Sequence, residues 1–281
     1  MSYPSPRALL EKYGLRAKKS WGQNFLGDEE ILDHIARLAA GEGERVVELG
    51  AGLGHLTARL LARGARVTAV ERDRDMAAVL RGELGDRIRL VEGDAARLDY
   101  GTIGEGEPVV VVGNLPYHLT SPILFGLLDQ AHLVARAVLL VQREVAERLC
   151  ASPGTKEWGL LSVLLQHRAE LSVERRVPPG AFLPPPKVES AVIRARFRPP
   201  RAAVADEGRF RRLVKAGFAQ RRKTLRNALV AGRVAPPEAL AAALASSGID
   251  PGRRGETLSV ADWARLERAL GPPSPSPPTG R

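Results

Sequence analysis

Cysteine is almost missing from this 281-residue chain, Cys150 being the only one. A single thiol closes no internal disulfide and builds no cysteine-rich zinc site, so Cys150 reads as a small buried apolar residue. The five histidines are scattered without ligand spacing, and no metal is expected. No apolar run approaches the roughly 18 residues that a membrane span needs. The opening stretch MSYPSPRALLEKYG lacks the continuous apolar segment of a secretory signal. These absences exclude disulfide scaffolds, zinc modules and membrane proteins, and leave a cytoplasmic protein, read as a monomer. Asparagine is also scarce, at Asn24, Asn114 and Asn227 only. Positive charge is plentiful: 42 Lys and Arg stand against 32 Asp and Glu, a net charge of +10. Such an excess suits a polyanionic partner, because neutralising phosphates releases counterions. Arginine inflated by a GC-rich genome would look the same in composition, so the distribution of the charge has to decide.

From residue 45 onward, β-rich runs alternate with helical patterns, which signals βαβ units and a mostly parallel sheet. Strands are expected at 45–49, 65–71, 88–94, 108–114 and 137–142. Helices are expected at 55–64, at 73–85 with Asp73 as N-cap, and at 121–130, where Ser121 and Pro122 look like a cap and first-turn pair. Further helical stretches follow around 145–149 and 160–167. AELSVERRV and SAVIRARF read as two last strands, an antiparallel pair at one sheet edge. The prolines of RPPRAAVADEG (198–208) mark a linker. Beyond it only helical patterns occur, near 206–218, 220–231, 236–247 and 257–270. The expected organisation is therefore an α/β domain over 1–200 that includes a basic amino-terminal arm with Arg16, Lys18 and Lys19. A small helical domain over 201–271 and a proline-rich disordered tail over 272–281 complete it.

The chemistry gathers where strands end. ELGAGLGHLT (48–57) turns the first strand into the first helix, and Gly50, Gly52 and Gly54 let a ligand approach the backbone. A dinucleotide fingerprint needs GxGxxG, yet His55 holds the last of those positions; GxGxG suits a nucleotide-like ligand without a pyrophosphate, which favours S-adenosylmethionine over NAD. Glu71, 21 residues after Gly50, ends the neighbouring strand, where a ribose diol could donate to its carboxylate. Asp94 ends the third strand, and reads equally as an acceptor for an adenine amino group or as a turn cap. Asn114-Leu115-Pro116-Tyr117 ends the fourth. There an amide oxygen and the Leu115 carbonyl can accept hydrogen bonds, Pro116 stiffens the turn and Tyr117 offers a stacking face. Two acceptors beside an aromatic ring suit the exocyclic amine of adenine or cytosine. Holding its N–H protons frees the nitrogen lone pair from the ring, so that alignment rather than a metal or strong base supplies the rate. Gln23 and Asn24 before Phe25 read on their own as a polar turn anchored by an aromatic.

Six motifs then carry a resemblance: KKSWGQNFL (18–26), ELGAGLGHLT, GDA (93–95), GNLPYHLTSPIL (113–124), FLPPPKVESAV (182–192) and FAQRRKTLRNAL (218–229). In order and spacing they are similar to the small-subunit rRNA adenine N6,N6-dimethyltransferase family, over about residues 8–270. The resemblance implies a Rossmann-like class I methyltransferase sheet with a small helical carboxyl-terminal domain. It implies S-adenosylmethionine-dependent dimethylation of two adjacent adenosines near the 3′ end of small-subunit rRNA, with the immature small ribosomal subunit as partner. It also implies that Gln23, Asn24, Leu26, Gly50, Gly52, Glu71, Asp94, Ala95 and Asn114 hold the cofactor. Asn114, Leu115, Pro116 and Tyr117 would meet the target amine, and Phe182 would stack with Tyr117 around a flipped adenine; on its own, Phe182 reads equally as a core residue. Ala51 stands where proline is common in the family, and Trp21 where a smaller apolar residue is frequent.

Residues 209–226 carry eight basic side chains and no acidic one. An rRNA-backbone contact is expected there, centred on Arg221, Arg222, Lys223 and Arg226, against the alternative of a solvated helix face. In dimethylation the second transfer starts from an amine with one N–H left. The small Gly113 and inflexible Pro116 are read as providing room for the first methyl. The rivals are a DNA amino-methyltransferase, which Leu115 and the helical domain argue against, and an assembly factor whose catalysis is secondary.

Overall fold

The computed structural model describes residues 3–18, 21–220 and 222–271, so the expected tail and Lys19 lie outside the described residues. Two compact units emerge, Met1–Glu147 with Glu170–Arg198 and Arg148–Ala169 with Pro199–Arg281. One boundary coincides with the expected linker. Residues 148–169, expected in the first domain, group instead with the second unit.

In the first unit the elements run α1 (Pro6–Lys12), β1 (Phe25–Leu26), α2 (Glu29–Ala39), β2 (Arg45–Leu49), α3 (His55–Ala62), β3 (Arg66–Glu71), α4 (Arg74–Leu84), β4 (Arg89–Glu92), α5 (Tyr100–Gly104), β5 (Val109–Asn114), α6 (Thr120–Asp129) and β6 (Val134–Gln142). α7 (Arg143–Leu149) crosses the boundary and α8 (Leu160–Arg168) falls in the second unit, after which the first unit resumes with β7 (Ala169–Val177), β8 (Phe182–Leu183) and β9 (Ser190–Phe197). A seven-stranded sheet has the order β4-β3-β2-β5-β6-β9-β7. β4, β3, β2, β5 and β6 pair in parallel, and β9 runs antiparallel to β6. The two last strands are neighbours at one edge, as the sequence suggests.

The central strands are apolar almost throughout because helices cover both faces: Val109 to Val112 are all buried, and Val47 faces Val111 across the β2–β5 ladder. The edges differ. β4 exposes Arg89 and Glu92, and β7 carries Glu170, Glu174, Arg175 and Arg176, mostly half-buried or exposed. One face of the sheet is sealed by α2. Asp28 caps that helix by accepting from the Ile31 N–H at 3.0 Å, and Ile31, Leu32, Ile35, Ala36 and Ala39 are buried against Val110, Val138 and Val192. Each large side chain so buried contributes roughly 1.5–3 kcal/mol.

Three expectations need correcting. Cys150 is half-buried rather than buried. Ser121 and Pro122 do not cap α6: the helix starts at Thr120 after a 3-10 turn, with no side-chain cap, so both lie inside its first turn. Residues 3–18 are not a loose basic arm. α1, capped by Ser5, buries Leu9 completely, in a cluster with Phe25, Leu53, Met76 and Val79. The Tyr3 hydroxyl donates to the Leu53 carbonyl at 2.8 Å, and Tyr13 donates to Glu83 at 2.7 Å. Lys18 pairs with Asp73 and Asp75, so its charge is compensated.

The second unit adds α9 (Glu207–Ala219), α10 (Leu225–Ala231), α11 (Pro237–Ser246) and α12 (Val260–Ala269). Arg209, counted in the basic run, is withdrawn from solvent: it is 6% exposed and donates from Nε (2.9 Å) and Nη2 (2.6 Å) to the fully buried Glu267. Glu267 also accepts from the Ala205 and Asp206 N–H groups, which satisfies the carboxylate without water. Arg209 is therefore a core residue and no part of an RNA surface. Among the described residues no helix is long and apolar enough to cross a membrane.

Candidate active site

The chain moves outward in both directions from the β2–β5 pair, so the sheet's switch point lies there and a crevice opens at the strands' carboxyl ends. A cavity of about 400 Å³ occupies it. Gln23, Asn24, Leu26, Gly50, Gly52, Glu71, Asp94, Ala95, Asn114, Leu115, Pro116 and Tyr117 all line it. Phe182 does not. It pairs with Leu26 in the short β1–β8 ladder, is 6% exposed and belongs to the core packed by α2. Phe182 is thus packed in the core in this structure.

The glycine turn is demanded twice over. Gly50, Gly52 and Gly54 have φ of 69°, 56° and 83°, a region L-residues avoid. A Cβ on Gly52 would also lie 3.3 Å from the Phe25 ring, and one on Gly54 only 2.6 Å from the Tyr3 hydroxyl. The turn therefore accommodates the amino-terminal segment as well as any ligand. Glu71 holds its far side. Its Oε2 accepts from the Gly52 N–H at 2.8 Å, and its Oε1 from the Arg72 and Asp73 N–H groups, both at 2.8 Å. Glu71 is buried, not a solvated strand-end residue. Burial pushes its carboxyl up and the three N–H bonds oppose that rise. Of the roughly four acceptor positions a carboxylate has, about one remains open to a hydroxyl.

Of the two roles expected of it, Asp94 fills that of the turn cap. Its Oδ1 caps the turn at 95–97 by accepting from the Ala96 N–H at 3.0 Å, which fixes the carboxylate on the cavity wall. Gln23 is a tether: its Oε1 accepts from the Lys18 N–H and its Nε2 donates to Asp73. Burial works against the Asp73 charge, but Lys18, the Asp75 N–H and Gln23 together hold its carboxyl below the usual range.

Asn114 is anchored by one end of its amide. Its Nδ2 donates to the Asn24 backbone carbonyl at 2.8 Å. Because a carbonyl only accepts, this bond fixes which end of the amide is which and leaves Oδ1 as the acceptor. The following N–H, that of Leu115, donates to the Leu140 carbonyl at 3.1 Å and carries the β5–β6 ladder one step beyond the strand. Tyr117, half-buried, shares a 2.9 Å hydroxyl contact with Ser190, which holds its ring in place.

Glu48 was not among the residues singled out from sequence. It is 2% exposed, lines the cavity, and its Oε2 has no hydrogen-bond partner. Burial pushes its carboxyl up to about 8; the nearby Thr57 hydroxyl pulls the other way without forming a well-shaped bond, and the Glu71 charge adds to the rise. An acid set between Val47 and Leu49 of the RVVEL strand, next to a glycine turn, was the available signal. Between about pH 4.5 and 8 the folded chain keeps a proton here that the unfolded chain has released. Stability therefore declines as pH rises through that window and levels off above it. Glu48→Gln is expected to remove this decline. Urea midpoints of the two proteins should diverge steadily from pH 4.5 to 8; parallel profiles would refute the burial of a protonated carboxyl.

A family model, ribosomal RNA adenine dimethylase, matches residues 14–271. The chain belongs to this family. It is an rRNA adenine dimethyltransferase with a Rossmann-like methyltransferase fold. Relatives agree over nearly the whole length. Ribosomal RNA small subunit methyltransferase A of Anaeromyxobacter sp. (strain K) is 70% identical, covering 96% of this chain and 99% of the relative. The protein of the same name from Myxococcus xanthus (strain DK1622) is 53% identical, covering 98% of each. Among solved structures, the 23S rRNA methyltransferase ErmE aligns with a TM-score of 0.67 at 30% identity, over 88% of this chain and 99% of that one. A dimethyladenosine transferase from Plasmodium falciparum aligns at 0.71 and 24% identity, over 86% and 95%, and speaks for the fold. Methyl transfer to an aromatic amine is what the acceptor geometry at Asn114 suits.

Proposed function

We propose that this dimethylase acts on the N6 amines of two adjacent adenosines near the 3′ end of small-subunit rRNA, on the immature subunit, with S-adenosylmethionine as methyl donor. The observation that carries the reading is the amide of Asn114 on the cavity wall, tethered through Nδ2 so that Oδ1 is left as the acceptor. The names of the 70% and 53% identical relatives support the small-subunit substrate. S-adenosylmethionine supplies an activated methyl group on a sulfonium when bound. The unpartnered Glu48 Oε2 and the carboxylates of Glu71 and Asp94 give one cavity several acceptors, none of them paired with a cationic side chain among the described residues, an acceptor set that fits a hydroxyl- and amine-bearing adenosine derivative. Glu71 would hold the ribose, with Asp94 and Ala95 at the adenine and Gln23, Asn24 and Leu26 closing the opposite wall.

The chain's own contribution is positional. Asn114 Oδ1 and the Leu115 carbonyl hold the amine's protons, so its lone pair turns out of the ring. Tyr117 supports the base and Pro116 keeps the turn from relaxing. With the methyl donor bound, the nitrogen held in this way would accept the methyl group, and one amine proton would leave to solvent. Arg222, Lys223 and Arg226 are exposed in the second unit and make no ion pair among the described residues, which supports their role on the rRNA backbone; Arg221 lies outside the described residues. Incubating unmethylated small subunits with the protein and S-adenosylmethionine, followed by nucleoside mass spectrometry, should yield N6,N6-dimethyladenosine at paired neighbouring sites. Dimethyladenosine confined to large-subunit rRNA would reject the substrate assignment.

A further inference from the structure

The chain has three tryptophans, and two, Trp158 and Trp263, are completely buried. Trp21 is 42% exposed and stands on the cavity wall. Leaving an indole in water is unfavourable, and here the backbone that carries it is tethered. Its N–H backbone group bonds to the Lys18 carbonyl at 3.0 Å, and Gln23, two residues on, is tied to Asp73. Lys18 Nζ lies 5.5 Å and Arg72 Cζ 5.6 Å from the ring centre, within the range of cation–π attraction but beyond contact stacking. The next residue, Gly22, brings the loop against the target side of the cavity, since a Cβ there would lie 3.8 Å from His118 Nδ1. An exposed aromatic face with a cation beside it has the chemistry of a nucleotide platform.

Charge identifies the occupant. Lys18 is neutralised by two aspartates, but Arg72 is exposed and has no ion pair among the described residues. A free guanidinium next to an indole suits a group that brings a planar base and a phosphate together. An adenosyl sulfonium brings a base without a phosphate, and adds positive charge of its own. We infer that Trp21 stacks on the RNA nucleotide adjacent to the adenosine in the cavity, with Arg72 facing its phosphate, and so helps to select and hold the strand. This rests on the rRNA substrate reading above.

The indole reports on itself, because the two other tryptophans are shielded. Adding S-adenosylhomocysteine to the full-length protein should leave the emission excited at 295 nm nearly unchanged. Adding a short single-stranded RNA with two adjacent adenosines to the S-adenosylhomocysteine-saturated protein should quench it, and Trp21→Leu should abolish the quench. In steady-state methylation of unmethylated small subunits, Trp21→Leu should raise KM for the subunit about tenfold with the loss falling on KM rather than kcat, and Trp21→Phe should recover most of it. Quenching by S-adenosylhomocysteine alone would overturn the inference in favour of an indole that covers the cofactor. So would an unchanged KM in Trp21→Leu. Failure of the wild-type protein to methylate small subunits would instead strike the substrate reading, and the two failures are thereby separable.

Discussion

Asn114→Ala is expected to lower kcat by about 10²- to 10³-fold at both methyl transfers, the loss typical when a preorganised polar group at the reacting atom is removed. The argument is geometric. Two acceptors hold the amine's protons, and one of them, Oδ1, exists only because the amide's other end is anchored on the Asn24 carbonyl at 2.8 Å. Cofactor affinity should change far less. The variant gives up one hydrogen bond to the loop at 22–26, worth about 0.5–1.5 kcal/mol, hence a shift in the S-adenosylhomocysteine Kd of about tenfold or less. Asn114→Asp separates the two ends of the group. It keeps acceptor oxygens but has no donor for the Asn24 carbonyl, so it should bind cofactor more weakly than the alanine variant and recover little activity. Single-turnover rates with mono- and unmethylated rRNA, alongside calorimetry with S-adenosylhomocysteine, would check both parts; an alanine variant within about threefold of the wild-type rate would remove Asn114 from the chemistry.

Gly113→Ala should be nearly as damaging, for a reason that differs from the one expected from sequence. Gly113 looked like space reserved for a methyl group. In the structure an added Cβ would lie 2.5 Å from the backbone carbonyl oxygen of Leu49 and 3.1 Å from its Cβ. The missing side chain is thus consumed by the close approach of β5 to β2. Backbone atoms of a central strand cannot step aside as a flexible side chain can. The substitution must pry the two strands apart at the switch point, where Gly50 and Asn114 both depart. Overpacking of this kind costs about 1–3 kcal/mol or more. Because Asn114 is the next residue, activity should fall with stability, to below about a hundredth of wild type if the amide shifts by roughly an ångström. Denaturant midpoints and kcat measured together test this. A stable, active alanine variant would return Gly113 to the role of making room. Space for the first methyl must otherwise come from the cavity beside Pro116 and Tyr117.

Much of the sheet is readable in the sequence because its signals are local. Four valines before Asn114, glycines after Leu49 and carboxylates at Glu71 and Asp94 each mark a strand's end within a few residues, and a parallel sheet brings those ends onto one rim. What stayed hidden depends on distant partners. The amino-terminal segment reads as a basic arm until Tyr3 meets Leu53 and Tyr13 meets Glu83, 50 and 70 residues away. Arg209 belongs to a positive run until Glu267, 58 residues on, takes it inside. Phe182 looks free to stack because the β1–β8 pairing that buries it is only two residues long on each side, too short to leave a periodic pattern. Glu48 is not legible as a site residue because a lone acid among apolar neighbours announces burial without saying what faces it.

The bond from the Leu115 N–H to the Leu140 carbonyl has a consequence for the working life of the protein. Asparagine side chains age in water: the backbone nitrogen of the following residue attacks the amide carbon, ammonia leaves, and the ring that forms opens to aspartate or isoaspartate. At Asn114 that nitrogen is committed to a sheet ladder, and the amide's own nitrogen to Asn24. Closing the ring would mean breaking both bonds and tearing the end of β5 from β6. The residue whose conversion to a carboxylate would do the most harm is therefore held where spontaneous deamidation has no nucleophile to begin it.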